Sequence, residues 1–517
     1  MAASMRNPVV VIFGATGTGK TKLSLELAKI FNGEIISADA MQLYKGLDII
    51  TNKATTEERK LCPHHMIDYI SPLKDNSTVV DYRNQALPII DSLLKKQKTP
   101  IIVGGTNYYI ESLLWKHLVN PEDIKRASSV HQTRPAKIAK VEGDDENKTV
   151  SAPNTDNSSI VDENTQSNTC STDNSSEEPI LTTAVCKSRD GADNDDESDD
   201  NDVDNDVVEM RGNREKYDSL CDTELHKRLF EIDSVSANRI HPKDRRKIIR
   251  ALEVYDQHGI PMSKIYKAQH SELSDNTALS GPLRYQDTCV FWLQCDKHVL
   301  NQRLDDRVDK MMEMGLIDEL TTFHKQYIDD RRQQGKEADY TVGIFQSIGY
   351  KQFHEYLILN EEERQTDHGK QLLEIGIENL KIATRQYASY QMRWVKRRML
   401  RRPCKESVLP VYGLDCSDVS RWEELVSAPA ASILTALRKG EESPISPIPY
   451  DGEDVQEFMY NECKTCDVVA VTKTIWEAHM SSRRHKKAVQ HYRKLSQTLD
   501  TYIQQKQRSK SSAEEVS

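Results

Sequence analysis

The sequence predicts an α/β fold built on a parallel sheet with a phosphate-binding loop, followed by a small C-terminal zinc finger. Two patterns carry that prediction. The stretch PVVVIFGATGTGKTKLSLEL, Pro8 to Leu27, passes from an apolar run through a glycine-rich turn into an amphipathic helix. Far downstream, Cys463-x2-Cys466-x12-His479-x5-His485 has two thiols and two imidazoles at ββα-finger spacing.

Val9 to Phe13 is a continuous β-branched and aromatic run, as suits a strand buried on both faces. Gly14, Gly19, Lys20 and Thr21 then fit G-x-x-x-x-G-K-[ST]. Glycines let backbone N–H groups converge on phosphate oxygens, lysine neutralises them, and threonine reaches a metal. Thr16, Gly17, Thr18, Gly19, Lys20 and Thr21 are therefore the phosphate-binding candidates, with Thr21 also the candidate for Mg2+. Leu23, Leu27, Ile30 and Phe31 line one face of the helix, whose positive N-terminus points at the anion.

Glu34 to Asp39 reads as a second strand. Strand C-termini in a parallel sheet face the ligand crevice, so Asp39 is placed beside the cradle. Cys62-Pro63-His64-His65 has no matching second pair nearby and is expected to be a structural loop. Residues 79–96 follow helical period, and Pro100 to Val103 begins a third strand ending in Gly104-Gly105-Thr106. A kinase would present a metal-binding Asp at such a strand end. Here it delivers backbone and a hydroxyl. Asn107 to Trp115 reads as the next helix.

The net charge of −11 is unevenly spread: residues 141–210 hold 21 acidic against 3 basic residues. The rest of the chain is mildly basic, which is compatible with a polyanionic partner. From about 137 to 213, Asp, Asn, Ser, Thr and Glu dominate, so a disordered insertion is expected. Ile240 to Tyr255 looks like a capped helix with Arg246 and Arg250 on one face. Cys289 to Leu293, CVFWL, is a buried strand returning to the sheet, and helical patterns follow through RVDKMMEMGLIDEL and FQSIGYKQFHEYL.

Asn379 to Arg402 carries 8 Lys/Arg and no acid, with Tyr387, Tyr390 and Trp394 at helical spacing. Basic residues suit a phosphate backbone and aromatics suit unpaired bases. The same aromatics would equally serve a core beneath a solvated basic face. In the finger, four thiolate and imidazole ligands make a closed tetrahedral set, so its Zn2+ is structural. Arg483, Arg484, Lys486 and Lys487 trail it and favour nucleic acid. Ten scattered cysteines suggest no disulfide framework. No apolar run approaches a membrane span, no membrane partner or secretory leader is expected, and 517 residues should hold two to four domains.

Together, the blocks GATGTGKT, ISADAMQLYKGLDIITNKAT, HHMID, VGGTNYYIESLLW, HPKDRRKIIRALEVY, RVDKMMEMGL, QSIGYKQF and ATRQYASYQMRWVKRR resemble the tRNA dimethylallyltransferase (tRNA isopentenyltransferase) family, eukaryotic type with a C-terminal finger. The resemblance covers residues 8 to 402 apart from the acidic insertion. Ala40 departs from it, since many members carry Ser there.

The resemblance implies a P-loop NTPase-like sheet with an inserted helical lid beside the anticodon stem. It implies transfer of a dimethylallyl group from dimethylallyl diphosphate to N6 of the adenosine 3′ of the tRNA anticodon, releasing diphosphate. The catalytic residues would be Asp39, accepting the proton of the exocyclic amine, with Thr106 and Arg250 helping the cradle stabilise the leaving diphosphate. Those expected on tRNA are Asp39, Ala40, Met41, Gln42, Arg246, Lys247, Arg250, Arg385 and Arg393, with Gln42 facing the flipped base. The rivals are an adenylate isopentenyltransferase acting on free AMP or ATP, a P-loop kinase, and a non-enzymatic RNA-binding adaptor.

The expected organisation is a first part of the core at 8–118, a helical insertion at 119–280, and a return to the core with tRNA-binding helices at 281–402. A linker at 403–457, the finger at 458–492 and a disordered tail at 493–517 complete it. The protein is expected to be a cytoplasmic monomer, with nuclear or mitochondrial pools left open.

Overall fold

In the computed structural model, Val9–Gly14 forms β1 and is buried along its whole length. Alternation divides it between two cores: Val9, Val11 and Phe13 face one cluster, and Val10 and Ile12 the other. That double burial is why the segment shows no polar alternation. The structure describes residues 7–73, 77–116, 216–217, 219–270, 283–400, 408–449 and 458–514. All belong to one compact unit formed by 1–131 and 202–517, and the expected acidic insertion lies outside the described residues.

The strands are β1, β2 (Gly33–Ser37), β3 (His64–His65), β4 (Thr99–Val103), β5 (Thr288–Gln294) and β6 (Val411–Asp415). They make one parallel sheet in the order β3-β2-β4-β1-β5-β6. The ends of β1, β2 and β4 therefore open side by side at one edge, where the phosphate loop begins. Two expectations are corrected here. Cys62 and Pro63 are irregular as expected, but His64 and His65 pair with Ile35 and Ile36 as an edge strand instead of continuing the loop. The expected linker at 403–457 instead supplies β6, whose Val411, Tyr412 and Leu414 are buried, and the helix Ala428–Lys439 packed beneath it.

Helix α1 (Lys20–Phe31) buries Leu23, Leu27, Ala28 and Phe31, while Ile30 is exposed rather than on the apolar face. Two capped helices precede β4. Thr55 caps α2 (Thr56–Leu61), and Thr78 caps α3 (Val79–Lys95) with an Asp81 capping box. Helix α4 (Asn107–Leu114) follows β4.

Between α4 and β5 the described residues form a helical arm: α5 (Asp222–Ile232), α6 (Ser234–Ala237), α7 (Arg245–His258) and α8 (Met262–His270). Its own small core includes Leu225, Leu229, Ile248 and Leu252. Of the expected insertion at 119–280, only 216–217 and 219–270 are described, and these are largely helical.

After β5 come α9 (Lys297–Glu313), α10 (Leu316–Gln333), α11 (Tyr350–Leu357), α12 (Glu361–Gln365) and the long α13 (Asp367–Val395). Helix α14 is Ala428–Lys439. The finger comprises β7 (Phe458–Cys463), β8 (Val468–Thr472) and α15 (Lys473–Ser481), with α16 (Arg483–Glu514) beyond it. The expected disordered tail is thus helical through Glu514, in keeping with its Lys, Arg, Gln and Leu, which are good helix formers. Among the described residues no helix is long and apolar enough to cross a membrane.

Candidate active site and metal centre

The loop between β1 and α1 turns through left-handed backbone at Gly17 (φ 82°) and Gly19 (φ 87°), which glycine adopts without strain. Gly19 has a second constraint, because a Cβ there would fall 2.8 Å from the Trp422 ring. Trp422 donates its Nε1–H to the Glu26 carboxylate at 3.0 Å, and the Lys22 ammonium lies 4.6 Å from its ring. Lys20 reaches back over the loop to the carbonyls of Gly14 (2.9 Å) and Ala15 (2.8 Å). Burial pulls its pKa down to about 8, with Asp39 opposing and Arg307 reinforcing that shift.

Asp39 follows β2, two residues beyond its last paired position. Its Oδ1 accepts the Met41 N–H at 3.0 Å. Burial raises its carboxyl above the ordinary value, and the Met41 N–H, Lys20 and Arg307 partly offset that rise. The neighbouring strand end is fitted against it: a Cβ at Gly104 would fall 2.1 Å from the Ala38 carbonyl oxygen, so only glycine allows this approach. A Cβ at Gly105 would lie 3.0 Å from Asp39 Oδ2, which places that carboxylate oxygen over the Gly104-Gly105 turn. Thr106 closes the junction. Its hydroxyl accepts the Ala40 N–H at 2.9 Å, and its own N–H donates to the Ala38 carbonyl at 3.0 Å.

Two residues that the sequence did not single out complete the group. Arg307 of α9 donates to the Thr16 hydroxyl at 3.1 Å and shares an electrostatic environment with Asp39 and Lys20. Gln391 of α13 accepts the Thr16 N–H at 2.9 Å and donates to the Gly105 carbonyl at 2.8 Å, tying the phosphate loop to the β4 end. Tyr387 donates to the same carbonyl at 3.1 Å.

The structure thus brings together Thr16, Gly17, Gly19, Lys20, Asp39 and Thr106. Thr18 sits in the loop, but its hydroxyl is spent on the Ala15 carbonyl at 2.8 Å. Thr21 opens α1, and its hydroxyl has no hydrogen-bond partner among the described residues, which fits a hydroxyl available to a cation. No contact between Arg250 and this group is found among the described residues. Arg250 lies on α7 with Glu253 3.9 Å away and His258 nearby, and the arginine beside Asp39 is Arg307.

The expected tRNA-binding residues divide as well. Both ends of the Gln42 amide are committed: its Oε1 accepts from the Ser37 hydroxyl at 2.8 Å and its Nε2 donates to the Asn52 carbonyl at 3.1 Å. A base contact from Gln42 therefore requires those bonds to be exchanged. Ala40 is buried and Met41 half-buried at the mouth. Arg246 and Lys247 begin α7, with Lys247 paired to Asp244 at 3.1 Å. On α13, Arg385 pairs with Asp305 and Arg393 is exposed. Trp394 is core, 6.4 Å from Phe13 between ring centres, so the aromatics of this helix do not share one role.

The second centre is the finger. The ligand atoms of Cys463, Cys466, His479 and His485 all lie within 4.8 Å of one another. His485 Nδ1 stands 3.5 Å from Cys463 Sγ and 3.4 Å from Cys466 Sγ, separations that suit the edges of a tetrahedron with Zn–S of about 2.3 Å and Zn–N of about 2.0 Å. His479 Nε2 is buried with no protein partner, an orphan that a metal would satisfy. The group therefore fits a metal such as zinc. The finger packs on the helical arm through Tyr460 against the His226 ring (5.7 Å between centres) and Phe458 beneath the Arg239 guanidinium (5.3 Å).

Comparison with known proteins gives a consistent picture. The sequence profile of a family described as IPP transferase matches residues 42–153 and 189–398. The human tRNA dimethylallyltransferase is 39% identical over 490 residues, covering 94% of this chain and 87% of that protein. Its counterpart from Schizosaccharomyces pombe is 29% identical over 509 residues, covering 94% and 95%. The Bacillus velezensis enzyme of the same name is 30% identical over 394 residues, covering 76% and 89%. Among solved structures, a eukaryotic dimethylallyltransferase caught acting on tRNA has a TM-score of 0.65 at 24% identity, covering 96% of this chain and 100% of that one, which shows the shared fold.

Proposed function

We propose a mechanism from the premise that this chain belongs to the IPP transferase family. It is a tRNA dimethylallyltransferase: it moves a dimethylallyl group from dimethylallyl diphosphate to N6 of the adenosine 3′ of the anticodon. The observation that carries the mechanism is that Lys20, Arg307 and Asp39 lie close enough to act on one another beside the phosphate loop.

An exocyclic amine is a weak nucleophile, and it must lose a proton as it attacks the allylic carbon. Asp39, held by the Met41 and Gln42 N–H groups with Oδ2 over Gly105, accepts that proton. The departing diphosphate gathers charge that Lys20, Arg307 and the N–H groups at Gly17 and Gly19 stabilise. Thr106 holds the Asp39 loop through Ala40, and so acts on the base through its position. Thr21 would hold Mg2+, which would neutralise part of the diphosphate charge.

The phosphate loop thus retains a leaving group. No phosphoryl group moves, and β4 is followed by Gly104, Gly105 and Thr106 where a kinase would carry a metal-binding Asp. The target base leaves its stack to reach this site, at a cost of a few kcal/mol that an unpaired loop nucleotide lowers. Arg246, Lys247, Arg250 and Arg393 contact tRNA phosphates, as does the finger. We take the enzyme to work as a monomer in the cytoplasm.

Incubating the protein with unmodified tRNA and dimethylallyl diphosphate yields isopentenyladenosine at the position 3′ of the anticodon, read by nucleoside mass spectrometry. Free AMP or ATP serving equally well as acceptor would instead assign the adenylate chemistry.

The pKa shifts set a pH profile. Asp39 works ionised, and its carboxyl is raised, so kcat/KM for dimethylallyl diphosphate climbs across a range above that of ordinary carboxylates. Lys20 works protonated, so kcat/KM falls as pH rises through about 8. Bound diphosphate favours the ammonium, so kcat declines at higher pH than kcat/KM does. A profile flat from neutral to strongly alkaline pH would remove Lys20 from diphosphate binding.

Cys463→Ser leaves three ligands and unfolds the finger. Zinc content measured by mass spectrometry drops, tRNA affinity weakens more than turnover at saturating tRNA, and the slope of affinity against salt becomes shallower as basic contacts are lost. Unchanged tRNA binding across a salt titration would reject the finger as a tRNA contact.

A further inference from the structure

We propose that Cys295 and Cys416 form a reversible disulfide, made by hydrogen peroxide or another hydroperoxide, that switches off the phosphate cradle. The two residues follow neighbouring parallel strands. Gln294 of β5 is paired with Asp415 of β6, so Cys295 and Cys416 hold the next position of that register. They share a face. Cys289, Phe291 and Leu293 on β5, Tyr412 and Leu414 on β6, and Cys416 just after it line one apolar cluster, against which Cys295 packs. Neighbouring strands lie about 4.8 Å apart. That is inside the Cα separation of about 4.4–6.8 Å that a disulfide spans.

Both strands end one residue earlier, and the Cys416 N–H still donates to the Gln294 carbonyl at 2.8 Å, which holds the two backbones in register while the side chains remain free to turn. The Cys416 thiol donates to the Gln294 carbonyl at 3.1 Å, a weak bond that rotation about its side chain releases, and the two thiols contact one another. The pair is chemically asymmetric. The Arg303 guanidinium is 3.5 Å from Cys295 Sγ, and Cys295 is the more exposed of the two. Cys416 is fully buried, and burial raises its thiol. Cys295, partly exposed, is therefore oxidised first, and Cys416 resolves it.

The step balances. Cys295 thiolate attacks a peroxide oxygen, the O–O bond breaks, and the released hydroxide takes a proton to become water, leaving a sulfenic acid. Cys416 sulfur then attacks Cys295 sulfur, the S–O bond breaks, and the hydroxide leaves with the Cys416 proton as a second water. Two thiols are oxidised to one disulfide and the peroxide is reduced.

The pair is wired to the cradle on both sides. Cys295 packs in a small cluster with Ala15 of the phosphate loop, Leu300 and Leu304, and Leu304 lies 3.0 Å from where a Gly17 Cβ would be. Cys416 leads through Ser417, whose hydroxyl accepts the Asp296 N–H at 2.9 Å, toward Trp422 against Gly19. Drawing the sulfurs into a bond shifts both supports of the glycine turn.

The test uses the full-length protein in the presence of zinc, treated with graded hydrogen peroxide, then alkylated, digested and mapped by mass spectrometry, with prenyl transfer assayed in parallel. The expected result is a linked peptide pair joining Cys295 to Cys416, loss of most transfer at the same peroxide dose, and recovery of both thiols and activity with dithiothreitol. Cys295→Ser keeps its transfer activity through the same treatment. Separately alkylated Cys295 and Cys416 at doses that oxidise other thiols would overturn the proposal, as would a linked pair with unchanged transfer, or a Cys295→Ser enzyme inactivated as fast as the unaltered one. The activity arm rests on the transferase reading, whereas the linkage is read from peptides alone, so failure of one is distinguishable from failure of the other.

Discussion

Replacing Asp39 with Asn lowers single-turnover prenyl transfer by at least about a hundredfold while tRNA still binds. A positioned general base contributes about 10²–10⁴ in rate. Asn keeps the size of the side chain and can still accept the Met41 N–H through its carbonyl, so the loop from Asp39 to Met41 retains its shape. What it cannot do is take the amine proton. Removing the Asp39 charge also removes the influence that holds the Lys20 ammonium up, so the alkaline limb of kcat/KM in the variant starts below that of the unaltered enzyme. Asp39→Ala abolishes transfer as well, with the added loss of the Met41 contact. Near-normal turnover in Asp39→Asn, measured with saturating tRNA, would take Asp39 out of the chemistry and leave it a turn residue.

The phosphate loop, Asp39 and the finger were legible in the sequence because each is local. A glycine turn, a strand end and a Cys/His spacing write their chemistry within some twenty residues. Arg307 and Gln391 were not legible in that way, because each reaches the loop across the sheet from a helix roughly three hundred residues or more further along. A signal existed for both: Arg307 opens the block RVDKMMEMGL, and Gln391 is an uncharged polar residue buried among the basic and aromatic residues of α13. The linker expectation failed for a related reason. VYGLD is too short to announce a strand beside so long a polar stretch, and only its pairing with β5 turns it into the sixth strand. Trp422, which presses on Gly19, was hidden by the same expectation. Helical period found the cores of α1 and α13 but could not say which apolar residues face solvent, as Ile30 shows, nor that Trp394 is core while Tyr387 faces the site.

Arg307 and Arg250 offer the sharpest separation between what the sequence suggested and what the geometry supports. Arg307→Gln removes the donor to the Thr16 hydroxyl and the cation beside Lys20, and the full charge of the leaving diphosphate then falls on Lys20 and the loop N–H groups. Donors aimed at developing charge are worth about 10²–10³ in kcat, and a loss of that size is expected, with a smaller change in the KM for tRNA. Arg250→Gln, on the helical arm with Glu253 as its ion-pair partner, is expected to show the reverse split: kcat close to normal and weaker tRNA binding that worsens with salt. Assaying both variants over a range of dimethylallyl diphosphate and tRNA concentrations decides between them. A kcat collapse confined to Arg250→Gln would mean that the helical arm closes over the cradle during the reaction and carries that arginine to the diphosphate. The fixed positions of Arg307, Thr16 and Gln391 argue that the leaving-group site is already assembled from the sheet edge, α9 and α13 before the arm engages tRNA.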